Sequence, residues 1–394
     1  SSEYSWGNVI FEGGGFVDGI ITSKTQENLV YARTDVGGAY RFDKTSGKWI
    51  PLMDWISEQD RGLYGTEALA LDPNDPAKLF PQADYVVFCM PVHKYRVALQ
   101  EIAPYLNKEK TVFLGSVYGQ GGWNWMVDEI KKQYGLTNIV TFAFGLIPWI
   151  CRIIEYGHKG VTYGCKAVNY AAVYPKEYFK QVDEELLEQI CYRWFGKGKV
   201  EQSDNFLSLT LSVDNQIIHT SRCLGLYKVW GKTWQHKEDV PWFYKDYDDV
   251  SANLLSDLDK DYTKIRETIK KMYPEKNFKH MLDYLALERF SYQSSNTDIK
   301  ESFVTSQTLV SIGTPVVQNE EGLWEVDRNH RFFLDDIYYG NCIAKWMAEQ
   351  LGIETPKSGI VHSVEEAEKL VKDEIGFPVV VRPAYTMGGA DGGF

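Results

Sequence analysis

A few residues in this chain have types suited to chemistry. His219 follows two isoleucines in a helical stretch. An imidazole titrates near neutrality and can give or take a proton during a reaction, although a lone histidine in such a setting ordinarily just fills its hydrogen bonds inside a helix packing. Asp335 and Asp336 are adjacent; a pair of acids at a helix start commonly serves the helix dipole. Arg331 offers a fork-shaped cation that can grip a carboxylate or a phosphate, or simply lie at the surface. The run Gly119-Gln120-Gly121-Gly122-Trp123 follows a strand and reads by itself as a loop.

Dinucleotide chemistry would need more. A nicotinamide-binding fold opens with a strand, G-x-G-x-x-G and a helix, with an acid about 20 residues on for the ribose. This sequence holds no G-x-G-x-x-G. Gly13-Gly14-Gly15 follows the apolar Val9-Ile10-Phe11, and Asp35 lies at a suitable distance beyond, but Asp18 stands where the third glycine belongs and β-branched Ile20-Ile21-Thr22 follows in place of a helix. That candidate is rejected.

The elements that must position these residues change character along the chain. Up to about residue 80, apolar and β-branched stretches such as 28–33 and Lys48–Leu52 alternate with turns, including Asp72-Pro73-Asn74-Asp75-Pro76; this predicts short strands. Next come an apolar strand at Asp84–Met90 ending at Pro91, a helix at Tyr95–Leu106 and a strand at Thr111–Ser116, the rhythm of a parallel α/β sheet. From about 183 helices are expected, with Leu186, Leu187, Ile190, Cys191, Trp194 and Phe195 on one face, and Val250, Leu254, Leu255, Leu258, Ile265 and Ile269 on another. A helix stopped by Gly352, a Ser363/Glu366 capping box and a buried strand at 377–381 follow. The sequence then stops in a glycine loop at 388–394, which is the mark of a fragment.

The 394 residues allow two or three domains. With 44% hydrophobic and 24% charged residues the composition is globular. A net charge of -12 argues against nucleic acid as a partner. No apolar run is long enough to cross a bilayer and no signal peptide is visible, so the expectation is a cytoplasmic protein with no membrane partner. The six cysteines show no C-x-x-C spacing and read as small core residues, not metal ligands.

Six stretches in order make residues 83–356 similar to the octopine/nopaline (opine) dehydrogenases: Asp84–Pro91, Leu146–Ile153, Ile217–His219, Trp242–Tyr244, Arg331–Ile337 and Gly352-Ile353-Glu354-Thr355-Pro356. The resemblance implies NAD(P)H-dependent reductive condensation of an amino acid with a 2-oxo acid. It makes His219 the acid/base, Asp336 its partner and Arg331 the interface arginine, with Pro91, Gly119, Gly121 and Gly122 on the cofactor side and NAD or NADP as cofactor, bound weakly or not at all without the fingerprint.

Two further resemblances flank it. Residues 1–80, through Trp6–Val9, Gly13–Val17, Tyr31–Arg41 and Trp49–Leu52, resemble the start of a xyloglucan-hydrolysing β-propeller glycosidase. There Asp35 takes the place of the catalytic base, without the second carboxylate that glycoside hydrolysis needs. Residues 357–394, through Ser358–Ser363, Gly376–Pro378 and Arg382–Gly389, resemble the ATP-grasp large subunit of carbamoyl-phosphate synthetase. That places Arg382 against phosphate, while Ala390 and Asp391 interrupt the glycine pattern.

The expected architecture is therefore mixed: a β-propeller-like fragment at 1–82, a truncated Rossmann-like α/β domain at 83–182, an all-helical substrate domain at 183–356 and an ATP-grasp-like fragment at 357–394. The seams fall at Pro76–Gln82 and Gly352–Ser358. An impaired opine dehydrogenase, a xyloglucan hydrolase or binding module, and a catalytically inactive chimera are the readings open at this stage.

Overall fold

The computed structural model describes residues 17–22, 29–34, 38–52, 79–155, 159–191, 198–306, 308–310, 312–355, 361 and 363–376. The chain divides into two compact units, Ser1–Ala344 and Lys345–Phe394.

The first unit begins with four strands, β1 (Val17–Thr22), β2 (Val30–Thr34), β3 (Ala39–Asp43) and β4 (Lys48–Pro51), paired antiparallel in sequence order. Ala32, Tyr40 and Trp49 bury one face of this meander, with Phe42 tilted against Trp49 at 5.3 Å.

The α/β part is built on β5 (Tyr85–Phe88), β6 (Val112–Ser116) and β7 (Ile139–Phe144), which are mutually parallel. A hairpin of β8 (Trp149–Glu155) and β9 (Lys159–Cys165) follows. Then β10 (Val168–Tyr174) returns antiparallel to β7, and β11 (Lys199–Ser203) pairs in parallel with β10, so the sheet order is β11-β10-β7-β6-β5. Every residue of β6 and β7 is buried, as expected of strands covered on both faces. On one side, helices α1 (Tyr95–Ile102) and α2 (Trp123–Tyr134) pack Tyr95, Leu99, Trp123, Met126 and Ile130 onto Leu114 and Ala143. On the other side, Val182 and Leu187 cover Phe113, Phe142 and Val173.

The helical part comprises α3 (Phe206–Leu211), α4 (Asn215–Trp230), α5 (Asp249–Met272), α6 (Tyr284–Tyr292), α7 (Ile299–Val304) and the single turn α8 (Arg331–Leu334). The side chains of Asn205, Asp248, Asp283 and Asp298 each accept the backbone N–H three residues on, which fixes where α3, α5, α6 and α7 begin.

Several sequence expectations need correction. β11 lies where helix was expected, because Lys199–Ser203 completes the α/β sheet beyond residue 183. The segment 183–356, expected to be all-helical, is not: β12 (Thr233–Trp234), β13 (Val316–Gln318) and β14 (Trp324–Val326) form a small sheet in the order β12-β14-β13. Val250 is exposed at the start of α5, one turn before the buried face set by Leu255, Ile265 and Ile269. Cys89 and Cys342 are exposed, not core residues. Trp194, Phe195 and the strand expected at 377–381 lie outside the described residues.

An ion cluster ties β11 to the helical part: Glu201 accepts from Lys199 at 2.8 Å, Lys279 at 2.6 Å and His280 at 3.1 Å. The bonds from Lys199 and Lys279, with His280 adding, hold the Glu201 carboxyl down at about 2. A carboxyl depressed by folding stabilises above its unfolded value and loses that contribution on acidification. Glu201→Gln should therefore lower the melting temperature at pH 7, and its gap to wild type should close between about pH 4.5 and about pH 2.

In the second unit, Ser363 Oγ accepts the Glu366 N–H at 3.1 Å and starts a helix at Val364–Leu370, the cap expected from the sequence.

Candidate active site

His219 sits on the buried face of α4 and is 3% exposed. Its Nδ1 lies 2.7 Å from Asp336 Oδ2 and its Nε2 lies 3.1 Å from the Tyr244 hydroxyl. A carboxylate can only accept, so Nδ1 carries a proton toward Asp336; in the neutral ring Nε2 is then the acceptor and the Tyr244 O–H donates to it. Phe332 stacks on the ring at 3.7 Å and Phe243 approaches it edge-on at 5.7 Å. The imidazole is thus fixed in tautomer and in plane.

Asp336 comes from the turn after α8. Its neighbour Asp335 serves a different histidine: Asp335 Oδ1 accepts the His93 backbone N–H at 3.0 Å and lies 2.7 Å from His93 Nδ1. The adjacent acids are therefore long-range partners, not a helix-dipole pair. His93 was not picked out in the sequence; its position just after Pro91, on the turn leading into α1, was the available clue. His330 caps α8 by accepting the Phe332 N–H at 3.4 Å. Burial, with Arg331 and His219 adding, pushes the His330 imidazole down to about 4, so it is neutral at pH 7.

The Tyr244 segment is held from beneath. Arg222 on α4 is completely buried, and its guanidinium donates to the carbonyls of Phe243 (2.7 Å), Trp242 (3.0 Å) and Asp246 (2.9 Å), to Asp248 Oδ2 (2.5 Å) and to Ser251 Oγ (3.2 Å).

A cleft of about 870 Å³ opens beside these residues, and His219, Tyr244, Arg331, Asp214, Lys166 and Glu288 stand on its wall. Arg331 lies over the Phe332 ring at 5.7 Å, so it shares with His219 the aromatic ring between them. His219, Asp336 and Arg331 are brought to one place.

Pro91 and the loop Gly119–Gly122 sit beyond the carboxyl ends of β5 and β6, the position where ligands bind in open α/β sheets. Their groups are engaged by the protein itself. The Gly119 N–H donates to Phe144 O at 2.7 Å. Gln120 is fully buried and donates its side-chain amide to Gly145 O (3.0 Å), Ser212 O (3.2 Å) and Asp214 Oδ1 (3.3 Å). Its Oε1 accepts the Tyr118 O–H at 2.8 Å, and burial together with the Asp214 charge keeps that phenol protonated. Gly121 has φ +82°, and a Cβ there would lie 2.8 Å from Val92 Cγ1 and 2.9 Å from Tyr339 O. Gly121→Ala should cost about 1–3 kcal/mol in backbone strain plus the clash. Gly135→Ala, at φ +65° with open space around it, should cost less; urea melts of the two variants make the comparison. Asp35 and Arg382 lie outside the described residues.

Residues 202–364 match the family model of the NAD/NADP octopine/nopaline dehydrogenase alpha-helical domain. The middle of the chain is similar to opine dehydrogenases. The opine dehydrogenase of Haliotis discus hannai is 25% identical over 287 residues, 72% of this chain and 68% of that protein. A solved octopine dehydrogenase structure with NADH and L-arginine superposes with a TM-score of 0.57 at 20% identity, covering 72% of this chain and 68% of that one. The opine-dehydrogenase-like segment thus has the Rossmann-like α/β plus helical fold.

The ends match other proteins. An oligoxyloglucan-reducing end-specific xyloglucanase of Emericella nidulans is 53% identical over 77 residues, 20% of this chain and only 10% of that protein. Residues 342–394 match the carbamoyl-phosphate synthase L chain ATP binding domain. Among the described residues, no helix is long and apolar enough to cross a membrane.

Proposed function

We propose that this chain carries the substrate-side machinery of an opine-dehydrogenase-like oxidoreductase, which condenses an amino acid with a 2-oxo acid and reduces the product with NADH or NADPH. The observation that carries the reading is the Asp336–His219–Tyr244 chain of hydrogen bonds on the wall of a cleft that also holds Arg331. His219 Nε2 takes the proton that the amine releases when it attacks the oxo carbonyl, and returns it to the departing hydroxyl. Asp336 stabilises the imidazolium in between. Arg331 grips the oxo-acid carboxylate.

The nicotinamide cofactor supplies the hydride when bound. The residues present do not fit a pyrophosphate cradle: the sequence lacks G-x-G-x-x-G, and the Gly119 amide is already committed to Phe144. Pro91, Gly119, Gly121 and Gly122 stand on the cofactor side of this reading, and binding weaker than in the relatives goes with it.

In this division, 83–182 is the cofactor-side part and 183–356 the substrate-side part. The four-stranded meander and the 77-residue match support reading 1–82 as a propeller-like piece. The family match supports reading 357–394 as an ATP-grasp-like piece.

The test is a nicotinamide-fluorescence titration with NADH on a cooperatively melting sample, followed by NADH oxidation with paired amino and 2-oxo acids. Saturable binding and oxidation that needs both substrates support the proposal. Neither one, on a folded chain, refutes it.

A further inference from the structure

Lys166, between β9 and β10, is 9% exposed and stands on the wall of the cleft. Its backbone N–H donates to Pro148 O at 2.7 Å, and its ammonium lies 4.8 Å over the ring of Tyr292. Among the described residues no carboxylate lies within 4.0 Å of that ammonium and no hydrogen bond from it is formed. The two acids on the same wall are occupied elsewhere. Asp214 accepts from the Asn215 N–H and from Gln120, and Glu288 accepts from Ser294 and Asn296.

Burying an ammonium without a counter-charge is unfavourable unless something arrives to pair with it. An aromatic face recovers only part of that loss. The cleft therefore presents two cationic heads lacking carboxylate partners among the described residues, Lys166 and Arg331. Condensing an amino acid with a 2-oxo acid always yields a secondary amine flanked by two carboxylates. We infer that Lys166 binds the carboxylate contributed by the amino acid, while Arg331 binds that of the oxo acid. This rests on reading the cleft as the condensation site and adds a specificity residue to it: a decarboxylated amine should be a poor substrate because it leaves Lys166 unpaired.

The probes are N-(1-carboxyethyl)alanine, with two carboxylates, and N-ethylalanine, with one, titrated calorimetrically into the full chain. Wild type should bind the dicarboxylate at least tenfold more tightly. Lys166→Met should erase that preference while binding N-ethylalanine as wild type does, and Lys166→Arg should keep most of it. The melting temperature of Lys166→Met should stay level or rise, since a buried cation with no carboxylate partner among the described residues has been removed; a structural ion pair would give a fall. A dicarboxylate preference that survives in Lys166→Met overturns the inference, as does its absence from wild type. Binding of neither probe by wild type overturns the cleft assignment too, and the NADH titration separates that failure from loss of the cofactor site alone.

Discussion

Asp336→Asn is expected to cut amino-acid-dependent NADH oxidation by roughly four orders of magnitude, the scale seen when a carboxylate that orients a catalytic histidine becomes an amide. The size follows from the geometry. Asp336 is 5% exposed and its Oδ2 is 2.7 Å from His219 Nδ1, so an amide in its place can turn its N–H₂ toward the ring and force the other tautomer. Nε2 would then carry the proton and lose its power to accept one at the cleft. His219→Gln should abolish turnover as well. It retains an amide able to donate to Asp336, which avoids leaving a buried carboxylate unpaired. Both variants should melt cooperatively. Ring-nitrogen NMR shifts of His219 in wild type and Asp336→Asn read the tautomer directly, and an unchanged tautomer or undiminished turnover would sink the assignment.

Arg222→Met should be the most destabilising single change in the helical part. The guanidinium is wholly buried and its bonds go to three carbonyls, one carboxylate and one hydroxyl. Methionine fills much of the volume but satisfies none of these acceptors. Breaking a buried pair by removing one partner costs about 3–5 kcal/mol, and the orphaned carbonyls add to that. The released segment carries Phe243 and Tyr244, both in ring or hydrogen-bond contact with His219, so Nε2 loses its partner as well. Chemical denaturation of wild type and variant measures the difference. A loss under about 1 kcal/mol would show that the bonds are not maintained in solution.

What could be read from sequence follows a physical division. The β5–α1–β6 rhythm and the Ser363 cap were legible because each is a local matter of periodicity or of one side chain reaching three residues along. β11 was not, since Lys199–Ser203 is short, mostly polar and buries only Val200 and Ser203, and it gains its strand state by pairing with β10. The small sheet of β12, β13 and β14 escaped for the same reason. His219, Asp336 and Arg331 were found through resemblance; nothing in their local spacing says that α4 and α8 meet. Lys166, His93 and Asp335 act through partners far along the chain, and one sequence holds no record of that adjacency.

The two consecutive acids after α8 are addressed to different parts of the molecule, Asp335 to the turn before α1 and Asp336 to the second turn of α4. A loop can gain or lose residues when its ends stay in place, but this turn cannot. Inserting or deleting one residue between Phe332 and Asp335 would shift both carboxylates round the axis together, releasing the clamp on His93 and the bond to His219 in a single event. Length variation among natural or engineered versions of this chain should therefore stop short of residues 332–335.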